Sequence, residues 1–127
     1  MLNIAVAGFG YWGPNIVRNF HTGAYTRVAT ICDKEAKSLQ RAKANYPDIQ
    51  TTTNYDVIVS SPEIDAIAIV TPVSSHYELA KKALKNGKHV FVEKPFTAKV
   101  AQGEELVELA DKNNLKIMVD HTFLFTG

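Results

Sequence analysis

The chain has 127 residues, 46% hydrophobic and 21% charged, proportions that suit one globular domain with a sizeable core. Lys and Arg number 14 against 13 Asp and Glu, a formal charge of +1, which excludes the basic footprint of a nucleic-acid or acidic-membrane binder. Cys32 is the single cysteine, so no internal disulfide forms; with no bilayer-length apolar run and no secretory signal at Met1–Ile4, a cytoplasmic protein is expected.

Leu2–Ala7 is an apolar run stopped by glycine, the pattern of a strand buried on both faces. A helix is expected over Pro14–Phe20, with Ile16, Val17 and Phe20 on one face and Pro14 where its missing N–H costs nothing. Arg27–Cys32 is β-branched and reads as the second strand. Lys34–Ala44 holds good helix formers, and Pro47 ends that element. Ile49–Asn54 is polar and Thr-rich, a short strand near the sheet edge, and Tyr55–Ser60 a short helix. Ala66–Val70 is a buried strand ended by Thr71-Pro72. A helix follows over Ser75–Lys85, stopped by Asn86-Gly87. Lys88–Val92 is a strand, Val100–Lys112 a helix closed by Asn113-Asn114, and Leu115–Val119 the last strand.

Strands separated by helical segments imply βαβ units with right-handed crossovers. The expected fold is α/β: a doubly wound parallel sheet between two helical layers, over residues 1–120. Such sheets bind ligands at the C-terminal ends of their strands. The unusual residues of this chain lie at such ends.

Gly8-Phe9-Gly10-Tyr11-Trp12-Gly13 is a G-x-G-x-x-G loop directly after the first strand and before a helix. Gly8 permits a tight turn, Gly10 lets the backbone approach a pyrophosphate, and Gly13 lets the helix pack close to the strand. The helix N-terminus offers free N–H groups to phosphates. By itself the motif is equally a plain strand-to-helix turn. Asp33, twenty residues after Gly13 at the end of the second strand, is where an acid receives the adenosine ribose hydroxyls. It is also placed to cap the following helix, and one carboxylate has oxygens enough for both roles. Together they read as a dinucleotide-binding Rossmann domain. An acid here repels a 2′-phosphate, which favours NAD over NADP; the neighbouring Lys34 acts against that repulsion. Tyr11 and Trp12 are placed to shield the pyrophosphate or line the nicotinamide side, with domain-interface packing the other role open to Trp12.

Thr71-Pro72-Val73-Ser74-Ser75-His76 follows the fourth strand. This loop is placed to hold the nicotinamide ribose. Ser74 or Ser75 is the expected N-cap of the next helix. His76 falls in its first turn, expected to face the cleft, where a cofactor contact and a packing role stand equal. After the fifth strand come Glu93-Lys94-Pro95. Packing alone does not select two charges straight after Val90-Phe91-Val92. They read either as an ion pair capping the sheet or as functional. In the second case Lys94 reaches the reacting carbon and shares the proton of a substrate hydroxyl as hydride leaves. Glu93 then contacts the ribose, and Pro95 fixes the backbone, with a cis bond one way of doing so. No metal site is expected.

With these residues in order, the chain resembles the N-terminal domain of the Gfo/Idh/MocA oxidoreductase family over essentially its whole length. The Glu93-Lys94-Pro95 tripeptide is the most distinctive part. The resemblance implies that Lys94 is the lysine of the family's catalytic pair, that Glu93 contacts the cofactor, and that Thr71 and His76 lie near the nicotinamide ribose. It implies a second catalytic group in a following substrate domain, with 121–127 the start of the connection to it. His121, in Asp120-His121-Thr122-Phe123-Leu124, then stands beside the nicotinamide or substrate, and Phe123, Leu124 and Phe125 are covered by the second domain. Those residues also resemble bacterial members acting on nucleotide-linked sugars. The implied partners are a sugar or cyclitol substrate and other copies of the parent chain, with neither nucleic acid nor membrane. The implied activity is hydride transfer from a sugar, nucleotide-sugar or cyclitol hydroxyl to NAD, with this chain alone inactive. Two other readings stay open: a nucleotide-binding module without dehydrogenase activity, and a methyltransferase-like domain binding S-adenosylmethionine. Glu93-Lys94-Pro95 has no evident purpose in the latter.

Overall fold

The structure, a computed structural model, describes residues 1–9, 13–93 and 96–120. Gly10, Tyr11, Trp12, Lys94, Pro95, His121 and the apolar residues at 123–125 lie outside the described residues. Six strands run β1 (Leu2–Ala7), β2 (Thr26–Cys32), β3 (Gln50–Thr52), β4 (Ala66–Ile69), β5 (His89–Glu93) and β6 (Ile117–Asp120). Five helices run α1 (Gly13–His21), α2 (Ala36–Asn45), α3 (Tyr55–Ser60), α4 (His76–Lys85) and α5 (Val100–Lys112), with a 3₁₀ turn at Val73–Ser75 before α4. The sheet is parallel throughout, in the order β3-β2-β1-β4-β5-β6, as expected of the doubly wound fold.

The period-two alternation of side chains along the central strands splits the core in two. Ile4 and Val6 of β1 meet Ile16 and Val17 of α1 and Ala42 of α2 on one face. Ala5 and Ala7 turn to the other, where Ile67 and Ile69 pack with Ile58 of α3, Leu84 of α4 and Leu106 of α5. Every second residue therefore needs an apolar side chain, and so does the one between. That is why β1 and β4 read as continuous apolar runs. Each fully buried Ile or Leu contributes about 2 kcal/mol. Phe20 of α1 meets Phe91 of β5 edge to face, 5.1 Å between ring centroids.

Differences from the expected boundaries have local causes. The helix expected from Lys34 begins at Ala36 because Asp33 Oδ1 accepts the Glu35 N–H at 2.8 Å, turning the chain once before the helix starts. The strand expected over Ile49–Asn54 is Gln50–Thr52: the Thr52 hydroxyl accepts the Asn54 N–H, and Asn54 Oδ1 then accepts the Asp56 N–H to cap α3. Those hydrogen bonds turn the backbone out of the sheet. The last strand begins at Ile117 rather than Leu115, because the Leu115 N–H returns to the Ala110 carbonyl and closes α5.

Candidate functional site

The chain crosses from β3 at one edge back to β4, which pairs with the opposite side of β1 from β2. The loops after β1 and β4 therefore diverge, and a cleft of about 770 Å³ opens beyond the strand ends, the usual place for a ligand in an open parallel sheet. Gly8 forms its floor. Its φ is +101° and a Cβ on it would stand 2.9 Å from the Val70 carbonyl oxygen, so both the turn and the close approach of β1 to β4 require glycine. Its N–H donates to the Cys32 carbonyl at 2.7 Å, which fixes the floor to the end of β2.

Asp33 stands on the β2 side of the cleft. Oδ2 accepts the Phe9 N–H at 2.7 Å and Oδ1 the Glu35 N–H at 2.8 Å. The carboxylate thus ties the glycine loop to the start of α2 and is held in one orientation. The N-cap of α2 is Glu35, which corrects the capping role considered for Asp33: it closes a turn two residues earlier. Each carboxylate oxygen retains a further lone pair, so two hydroxyl donors can still be received. Arg41 backs this arrangement, donating to the Phe9 carbonyl at 3.2 Å with its guanidinium over the Phe9 ring. The Phe9 ring lies in the core, so Phe9 serves the loop through its backbone and its packing. Lys34 is exposed and lines the cleft.

The wall after β4 is held by hydroxyls. Ser75 Oγ donates to the Pro72 carbonyl at 2.7 Å, and Thr71 Oγ1 lies 2.5 Å from Ser75 Oγ. With the serine hydrogen already used, Thr71 is the donor of that pair. Ser75 occupies the N-cap position of α4 but makes no side-chain cap bond, because its hydroxyl is turned back to Pro72. Thr71 and Pro72 line the cleft; Val73 and His76 do not. His76, expected to face the cleft, is buried beneath it, 3% exposed, with Nε2 2.8 Å from the Thr71 carbonyl oxygen and Nδ1 3.1 Å from that of Phe96. Burial pushes the Glu93 carboxyl above the usual carboxylate range, against the pull of His76.

Sequence reasoning did not single out Cys32, Ser38, Thr53, Asn54, Tyr55 and Leu79, all lining the cleft. The signal available for Thr53 and Asn54 was their position directly after a strand. Burial, with the charge of Asp33 adding to it, raises the Cys32 thiol to about 11, so it stays protonated. Burial likewise raises the Tyr55 phenol, with Cys32 a smaller cause, and its hydroxyl donates to the Leu79 carbonyl at 2.7 Å. Among the described residues no group of His, Cys, Asp and Glu is placed to hold a metal ion, and no helix is long and apolar enough to cross a membrane.

Comparison with known proteins agrees with this geometry. The oxidoreductase family described as having an NAD-binding Rossmann fold matches residues 2–121. The oxidoreductase YhhX of Escherichia coli (strain K12) is 34% identical, over 92% of this chain and 34% of its own length. A UDP-N-acetylglucosamine 3-dehydrogenase of Acidithiobacillus ferrooxidans is 27% identical, over 94% of this chain and 37% of its own. Among solved structures, apo scyllo-inositol dehydrogenase of Lactobacillus casei superposes with a TM-score of 0.85 at 26% identity, over 94% of this chain and 36% of that one. The chain thus spans about a third of the length of these relatives. The methyltransferase-like alternative falls with the family match. A glycine floor, a fixed acid at the end of β2 and a switch-point cleft are what a nicotinamide dinucleotide needs, and the chain belongs to the Gfo/Idh/MocA oxidoreductase family as its NAD(P)-binding Rossmann domain.

Proposed function

We propose that this chain is the cofactor-binding part of a dehydrogenase that oxidises a hydroxyl of a sugar, nucleotide-sugar or cyclitol, with NAD as the preferred acceptor. The observation that carries the cofactor preference is Asp33, whose two oxygens are fixed by the Phe9 and Glu35 N–H groups. A carboxylate so held cannot swing away from a 2′-phosphate but can receive both ribose hydroxyls. The substrate class is supported by relatives described as a UDP-N-acetylglucosamine 3-dehydrogenase and a scyllo-inositol dehydrogenase.

NAD bound in the cleft supplies a hydride acceptor. The chain's own residues bind and orient it: Gly8 and the loop through Gly13 at the pyrophosphate, Asp33 at the adenosine ribose, and Thr71, Pro72 and Glu93 towards the nicotinamide ribose. Lys94 is proposed as the catalytic residue, its amine sharing the proton of the substrate hydroxyl while the C–H bond gives up its electron pair as hydride. The chain by itself is proposed to bind the cofactor without turning over substrate, because it spans a third of its relatives' length. Isothermal calorimetry of the folded chain with NADH and NADPH tests the reading. NADH binding tighter than NADPH is expected. Binding of neither removes the cofactor role, and tighter NADPH removes the assigned preference.

A further inference from the structure

Gly8 and Gly10 flank Phe9 in the sequence. Glycine lets a backbone turn tightly and stand close to a ligand, but it loses more conformational freedom on ordering than any other residue. A loop ordered only when its ligand arrives would lose affinity by that amount. Phe9 is instead held on three sides. Its N–H donates to Asp33 Oδ2 at 2.7 Å. Its carbonyl oxygen accepts from Arg41 Nη2 at 3.2 Å. Its ring is buried with Ile16 and Val17 of α1 and Ile31 of β2, and the Arg41 guanidinium carbon stands 5.8 Å from the ring centroid, within cation–π range. The N–H and the carbonyl belong to the two planar peptide groups on either side of the Phe9 Cα, so fixing both fixes its φ and ψ. Asp33 holds only the first of those groups; Arg41 holds the second.

We infer that Arg41 is a positioning residue for the cofactor: from α2 it locks the Phe9 backbone, so that the start of the glycine loop is ordered before a pyrophosphate reaches it. The inference rests on the reading of the cleft as a nicotinamide dinucleotide site. Arg41 acts through Phe9. It is not among the described residues that line the cleft, whereas Gly8, joined directly to Phe9, forms the floor. Packing does not account for its place, because Arg41 is exposed and the buried residue of α2 is Ala42. Arginine suits the position for a chemical reason: one planar guanidinium can lie over a ring and donate to a carbonyl, which the point charge of lysine does less well. Asp33 and Arg41 both lie on the segment from β2 through α2, so one unit of the fold grips the Phe9 backbone from its N–H and from its carbonyl.

Arg41→Met and Arg41→Lys of the 127-residue chain test this; both replacements are good helix formers, so α2 is kept. Two measurements are made on each: titration with NADH and with NADPH, and amide hydrogen exchange followed by NMR. Arg41→Met is expected to weaken NADH and NADPH alike by roughly tenfold, the loss of about one hydrogen bond from a charged donor. The Phe9 amide should then exchange roughly tenfold faster while the amides of Leu39 and Ala42 in α2 keep their rates. Arg41→Lys, which can still donate to the Phe9 carbonyl, is expected to recover part of both losses. Arg41→Met binding NADH as tightly as the unmodified chain would overturn the inference. So would a loss confined to NADPH, which would make Arg41 a direct reader of the 2′-phosphate, and so would faster exchange throughout α2, which would make its role structural. If the unmodified chain binds no NADH, the cofactor reading fails, and the exchange rates still decide whether Arg41 holds Phe9.

Discussion

Asp33 concentrates two jobs in four atoms. It fixes the glycine loop to the start of α2 through the Phe9 and Glu35 N–H groups, and it presents its remaining lone pairs to the cleft. Asp33→Asn separates the jobs, since the amide keeps one acceptor oxygen and loses the charge. NADPH affinity is expected to rise relative to NADH by roughly tenfold, from removal of the like-charge penalty, as read by calorimetry with both cofactors. An unchanged ratio would show that the charge of Asp33 does not set the preference. Cys32, one residue earlier, makes a pH prediction. Its thiol is raised from 9.0 to about 11 by burial and by Asp33. The folded chain holds this proton more tightly than the unfolded one. The resulting stabilisation is complete below pH 9 and is lost as the pH climbs towards 11. In urea unfolding, the chain should therefore lose stability relative to Cys32→Ala over that window, and parallel pH profiles would contradict the assignment. For the same reason Cys32 should react slowly with a thiol reagent at pH 8 until the chain is unfolded.

Helix ends are built with one motif and two different residues. After α4, Gly87 takes φ +79°, and the Lys88 N–H returns to the Ala83 carbonyl at 3.0 Å. After α5, Asn114 takes φ +57°, and the Leu115 N–H returns to the Ala110 carbonyl at 2.8 Å. Both are left-handed closures, where glycine carries no Cβ penalty and asparagine a small one. Asn114→Gly is expected to raise stability by about 0.5 kcal/mol, seen as a higher urea midpoint with an unchanged slope. A lower midpoint would mean that the Asn114 side chain holds something glycine cannot. Both closures were legible as stop signals in Asn86-Gly87 and Asn113-Asn114. So were the extents of β1, α3 and α5, where apolar patterning and boundary residues agree. The start of α2 was not, because a short polar side chain offered the backbone a local partner that competed with the helix. The same competition trimmed β3 through Thr52 and Asn54.

At the scale of the molecule, strand order turns six local elements into a site. The cleft exists because β4 pairs on the side of β1 away from β2, so the segments bearing Gly8, Asp33 and Thr71 come from distant parts of the chain. Ligand that bridges them binds only the folded state. NADH at a hundred times its dissociation constant is therefore expected to stabilise the chain by about 2.7 kcal/mol, measured as a shift in thermal midpoint. No shift at saturating NADH, with the chain folded, would argue that the cleft does not bind the cofactor. The outer face of the last units is less covered: Val100 and Val107 of α5 and Met118 and Val119 of β6 are exposed. Relatives about three times as long have further chain with which to meet such surfaces.

Sequence by itself determined the α/β class, the parallel sheet, the element order and the family. The first three follow from local periodicity and glycine spacing, and the family from resemblance in its ordered motifs, Glu93-Lys94-Pro95 the most distinctive. It also placed Gly8, Asp33 and Thr71 at strand ends. Only the tertiary structure decided what those residues touch. That Asp33 braces the glycine loop, that Ser75 turns back to Pro72, and that His76 faces inward between two carbonyls are facts about segments 3 to 24 residues apart. Hydrogen-bond partners at such distances are chosen by how the strands are ordered and how closely they pack, and no periodicity along the chain encodes them.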